Sequence, residues 1–166
     1  TIGELREDLR TRLGRVKALS QGSQARDKVL EYLIDSIEFD APESAVTSEV
    51  SYREHDVIHS MGHDDALFEQ FLASQGKTKE DFEADLRENA VRSVKAQLIL
   101  DSIAETEALQ VGDTELTDYL VRQAARYQLS PQDFANQIMQ AGNLPSLIAD
   151  VRRNKALALA LSSATI

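Results

Sequence analysis

Residues 79–108, KEDFEADLRENAVRSVKAQLILDSIAETEA, read as one uninterrupted helix, with Thr78 placed to cap it. At a rise of about 1.5 Å per residue such a helix is about 45 Å long, more than the diameter of a compact domain of this size. A chain of 166 residues that commits so much of itself to one rod is expected to form an elongated, multi-helix domain. Composition points the same way. Only nine side chains are aromatic, five Phe and four Tyr with no Trp, so the core must be built from Leu, Ile, Val and Ala, which suits helices.

The remaining elements follow from stops and starts. Thr1 with Glu4 makes a capping box, and Leu5, Leu9, Leu13 and Val16 then recur at helical spacing. After a weak point at Gly22, the stripe resumes with Val29, Leu30, Leu33, Ile34 and Ile37. One long helix over 2–37, with a possible kink, is the expectation. Pro42 ends that segment and opens a helix over about 43–61, whose apolar stripe of Val46, Val50, Val57 and Met61 is thin. A short helix stopped by Gly76 precedes the long one. Asp113 is read as the cap of a helix to about Gln128, and Ser130-Pro131 opens another that Gly142 stops. The closing segment from Leu144 contains ALALALSS. Its alternation imitates a strand, but alanine and leucine without a β-branched residue argue for a helix. The fold class is all-α.

Charge narrows the function. The formal net charge is −10, and residues 35–89 hold 15 Asp/Glu against 4 Lys/Arg. Phosphate backbones repel such a surface, so nucleic acid is not expected as a partner. Residues 1–28 are the basic end, 7 Lys/Arg against 4 Asp/Glu, and read as a solvated helix face. No apolar run approaches a membrane span, TIGELREDLR is no signal peptide, and the absence of cysteine suits a reducing cytoplasm. The glycines are too scattered for a phosphate-binding loop, and there is no G-x-S-x-G. No catalytic residue, cofactor or enzymatic activity is expected.

The one motif that invites a metal is REHDVIHSMGH, with His55, His59 and His63 four residues apart and Asp56 in an H-D-x-x-H arrangement. That spacing puts imidazoles near one helix face. Catalysis is argued against on three grounds. Asp56 is one methylene shorter than the glutamate that activates metal-bound water, Gly62 should end the helix before His63, and the polar flanks imply exposure. The histidines are read as exposed side chains, adventitious metal ligands at most.

Three segments carry a family resemblance. TIGELREDLRTRLGRVKALSQGSQARDKVLEYLIDSIEFDAPESAVTSEV, FEADLRENAVRSVKAQLILDSIAETEALQVGDTELTDYLVRQAARY and LPSLIADVRRNKALALALSSATI together resemble the C-terminal chaperone domain of bacterial trigger factor, a ribosome-associated folding helper. The resemblance implies a connecting helix over 1–42, a first arm over 43–108, a second arm over 109–143 and a closing helix over 144–166, with a cradle between the arms. The family's ribosome-docking loop and prolyl isomerase domain have no counterpart in these residues, so ribosome contact would need a domain absent here. What is implied is an ATP-independent holdase that binds unfolded or nascent polypeptides through apolar patches and prevents their aggregation, in the cytoplasm, with no membrane partner. A helical scaffold for one folded partner is the alternative.

Client contact is expected first at Tyr127, Phe134, Ile138 and Met139, because QAARY and SPQDFANQIM resemble the second-arm segment that faces the cradle in that family. Leu67, Phe68 and Phe71 form a second set, in the stretch SMGHDDALFEQFLASQGK, where this sequence departs from the family pattern.

Overall fold

Helix stops divide this chain more sharply than changes of residue type. The computed structural model describes residues 2–164, without the side chains of Ile2, Glu4 and Asp65, so the capping box expected of Thr1 and Glu4 lies outside the described residues. Seven helices follow one another: α1 (Ile2–Ser36), α2 (Glu43–Ser60), α3 (Asp65–Ser74), α4 (Lys79–Thr106), α5 (Asp113–Arg126), α6 (Pro131–Gln140) and α7 (Leu144–Ser163). No strand occurs among the described residues, and the protein is all-α. The expected weak point at Gly22 does not interrupt α1.

The caps are visible at the level of single hydrogen bonds. Thr78 and Asp81 form a reciprocal box at the start of α4: the Asp81 N–H donates to Thr78 Oγ1 at 3.1 Å, and the Thr78 N–H donates to Asp81 Oδ2 at 3.0 Å. Ser130 Oγ accepts from the Asp133 N–H at 3.1 Å ahead of Pro131, the first residue of α6. At α5 the expected cap shifts by one residue. Gly112 is the N-cap and Asp113 the first helical residue; the Gly112 N–H donates to Glu115 Oε2 at 2.9 Å. Glycine suffices because the Glu115 carboxylate supplies the acceptor.

The chain forms two units. Unit 2, Ile34–Ile99, is built from α2, α3 and the first part of α4. Its core is small: Val46, Ala90 and Val94, with Ala41, Ala45, Val50 and Val91 packed against them. Arg87 donates to Glu43 at 2.7 Å and Ser93 to Glu49 at 3.1 Å, a constant offset along both helices, so α2 and α4 lie parallel. Unit 1 comprises residues 1–33 and 100–166. Here Leu100, Ala104 and Ala156 form the centre, joined by Leu30, Ile103, Leu109 and Leu157. Ala104 and Ala156, both fully buried, pack α4 against α7 in this centre. A part-buried fork clasps them: Arg153 donates to both Asp101 oxygens at 2.9 and 2.8 Å and to Asp150 at 3.2 Å.

Candidate functional site

The α5–α6 hairpin carries the first set of expected contact residues, Tyr127 and Phe134 at its turn and Ile138 and Met139 at the far end of α6. Tyr127 caps the end of α5, and Gln128 turns the chain in the left-handed region at φ 57°. The Leu129 N–H returns to the Ala124 carbonyl at 2.9 Å. This turn lays the Tyr127 ring on that of Phe134, with centroids 5.7 Å apart and planes 17° from parallel. The two rings then differ. Phe134 is buried, 8% exposed, whereas Tyr127 is 67% exposed. Phe134 is therefore a core residue that holds Tyr127 in place. Met139 is also 67% exposed and Ile138 half-buried, so the exposed apolar side chains of this set are Tyr127 and Met139.

The second set divides in the same way. Asp64 caps α3 by accepting from the Ala66 and Leu67 N–H groups at 2.9 and 3.2 Å. Phe68 meets Phe82 of α4 edge to face at 5.4 Å, and Phe71 lines a hollow of about 200 Å3 with Leu72 and Phe82. Phe68 and Phe71 thus seat α3 on α4, with Leu72 6% exposed beneath them, while Leu67 points outward at 50%.

The histidines come closer than the sequence suggested. The helix stops at Ser60, but Gly62 and His63 both turn left-handed, φ 66° and 59°. The His63 ring folds back to 5.6 Å from His59 and 6.0 Å from His55, and His55 lies 6.0 Å from His59. All three are exposed. Among the described residues, no group of three or more His, Cys, Asp or Glu side chains is arranged to hold a metal ion.

Four carboxyls are shifted, three in the first turn of a helix and one within α7. Three carboxyls are held below their usual range: Glu43 by its hydrogen bond from Arg87, Asp81 by the Thr78 N–H, and Glu115 by the Gly112 N–H with Lys155. Asp150 moves upward, because burial outweighs the attraction of Arg153.

A further apolar surface was missed as a surface. Leu5, Leu9, Leu13, Val16 and Leu19 on α1 are 48–75% exposed, so their helical spacing marks an apolar face that stays outside. The available signal was the row of cations between them, which keeps such a stripe soluble without a covering element.

The chain matches the family model described as bacterial trigger factor protein C-terminus over residues 1–162. The chain belongs to this trigger factor C-terminal family. It is 47% identical over all its residues to the trigger factor of Saccharopolyspora erythraea and 45% identical to those of Rhodococcus opacus and Rhodococcus jostii. It spans 36% of the length of each of these relatives. A solved structure of trigger factor domains from Thermotoga maritima superposes with a TM-score of 0.64 at 19% identity, covering 86% of this chain and 83% of that one. That likeness shows the fold. Among the described residues, no helix is long and apolar enough to cross a membrane.

Proposed function

We propose that this family member acts as an ATP-independent chaperone domain, holding unfolded or nascent polypeptides by apolar patches and so preventing their aggregation. One observation carries the reading. Among the described residues fifteen large apolar side chains are exposed, against twelve buried apolar residues of which four are alanine. Apolar groups left outside in such number, on helices that also carry many charges, suit a surface that receives apolar segments while staying soluble.

The energetics favour loose, repeated contact. A patch burying ~300 Å2 of apolar surface gains roughly 7 kcal/mol at ~25 cal/mol/Å2. Association costs ~4–15 kcal/mol. One patch therefore binds weakly, and several patches on one client bind usefully through effective concentration. Tyr127 and Met139 with Ile138, and Leu67 in unit 2, are the contact residues this reading favours; Phe134, Phe68 and Phe71 support them from below. A cradle between two arms, and delivery of nascent chains through a ribosome-docking domain outside this chain, belong to the same proposal, as does action in the bacterial cytoplasm.

Light scattering of three unrelated denatured proteins, with and without the purified chain, tests the reading. Suppression of aggregation for all three is expected. Stoichiometric binding of one native protein, with no suppression, would replace it with the scaffold alternative.

A further inference from the structure

Among the described residues α1 carries six of the eleven large apolar side chains exposed in unit 1. Where α1 runs beside the end of α7, two hollows open, of about 680 Å3 and about 620 Å3. Leu19 and Leu161 line the first, and Val29 and Tyr32 the second. The charged residues lining the two are Arg15, Arg26 and Lys28, and no carboxylate lines either. All three cations are exposed. Among the described residues none of them lies in an ion pair, whereas in the same unit Arg153 is taken by Asp101 and Asp150, and Lys155 by Glu115.

This pattern is local and runs against the charge of the whole chain. Residues 10–28 hold 6 Lys/Arg against 1 Asp, although the net charge is −10. At physiological salt the screening length is about 8 Å, so a segment lying in these hollows feels Arg15 and Lys28 most, while Arg26 is shared with a neighbouring hollow that Glu115 and Asp118 line. Hollows so lined could take a client's apolar side chains, with Arg15, Arg26 and Lys28 placed to donate charge-assisted hydrogen bonds to its carboxylates. A phosphate backbone would also suit the cations, but hollows walled by Leu and Val with a single tyrosine offer little for bases to stack on.

We propose that the α1–α7 face is a client subsite for apolar polypeptide segments that carry carboxylates. The proposal rests on the chaperone reading above and adds the class of segment the face takes. Complementary charge makes it selective, and the apolar hollows supply the adhesion.

Fluorescence anisotropy on the intact chain tests it, with two labelled peptides of identical Leu, Val and Phe content, one carrying four Glu and the other four Lys. At 150 mM salt the acidic peptide is expected to bind about fivefold or more tighter, consistent with a few exposed charge pairs. Arg15→Gln, Arg26→Gln and Lys28→Gln combined should abolish that preference with helicity unchanged, and Leu19→Ser should weaken both peptides. Equal affinity for the two peptides, a preference for the basic one, or an unchanged preference in the triple variant would overturn the proposal. A structured RNA that displaces the acidic peptide at equimolar concentration would reassign the face to nucleic acid. If aggregation suppression persists while the preference is absent, the subsite fails and the chaperone reading stands. Loss of both suppression and all peptide binding would sink the two together.

Discussion

Unit 1 and unit 2 each bury few large apolar side chains, and they make up the deficit differently. Unit 2, residues 34–99, carries 15 Asp/Glu against 6 Lys/Arg and centres on Val46, Ala90 and Val94. Its helices are joined by ion pairs at the surface, Arg87 with Glu43 and Lys77 with Asp85, and by Lys95 over the Phe39 ring at 5.4 Å. Unit 1, residues 1–33 and 100–166, is nearly balanced at 12 Lys/Arg against 13 Asp/Glu. It relies on a core centred on buried Leu100, Ala104 and Ala156 and on the Arg153 fork. The difference teaches where each can be spared: charge dominates the weak points of unit 2, and packing those of unit 1.

The largest effect should come from the packing side. Phe134→Ala removes the buried ring beneath Tyr127 and is expected to cost about 3–5 kcal/mol, seen as a lower unfolding midpoint in urea. Tyr127→Ser, at an exposed ring, should cost less than about 1 kcal/mol and instead reduce client binding. If the two variants melt alike, the division of this stacked pair into support and contact surface is wrong.

Next comes the fork. Arg153→Met strips the Asp101 carboxylate of a part-buried bidentate partner and is expected to destabilise unit 1 by about 1–3 kcal/mol. Arg87→Met, which breaks an exposed pair in unit 2, should stay within about 1 kcal/mol. Equal losses would mean that exposure does not separate the two pairs.

Acid should weaken both units through different residues. Glu43 and Asp81 in unit 2 and Glu115 in unit 1 have depressed folded-state pKa values. Their contribution is present above the unfolded carboxyl range, near 4, and is lost as pH falls through the lowered folded values. Asp150, shifted upward by burial, works in the opposite sense within unit 1. At neutral pH, added salt should stabilise unit 2 more than unit 1, because screening relieves repulsion among its excess acids. Hydrogen exchange resolved by segment between low and moderate salt would read this out; equal protection changes in the two units would remove the charge argument.

The smallest effect belongs to the histidines. Replacing His55, His59 and His63 together with Gln should change stability by no more than about 0.5 kcal/mol, since all three rings are exposed. A larger loss in thermal melting would show that their mutual packing holds the end of α2.

Most helix boundaries were legible because they are local. Thr78 with Asp81, Ser130 before Pro131 and the stops at Gly76 and Gly142 act through neighbours within a few residues. The run of Ala and Leu in α7 was legible for the same reason, since propensity outweighed a misleading alternation. The candidate site was less so. Tyr127 and Phe134 look equivalent in sequence, both aromatic and seven residues apart, yet one is a wall and the other a surface. Leu67 and Phe71 diverge likewise on a single helix.

By itself the sequence determined the helical class and the order of elements, because caps and helix propensity depend on near neighbours and on composition. Only the tertiary structure decided which apolar residues stay outside. Periodicity reports that a helix has an apolar face, but whether another helix arrives to cover it depends on contacts between distant segments. In α1 the stripe from Leu5 to Leu19 stays exposed, while Leu30 joins a core with Ala104 and Ala156. Among the described residues the same helical pattern meets a partner at one end and none at the other.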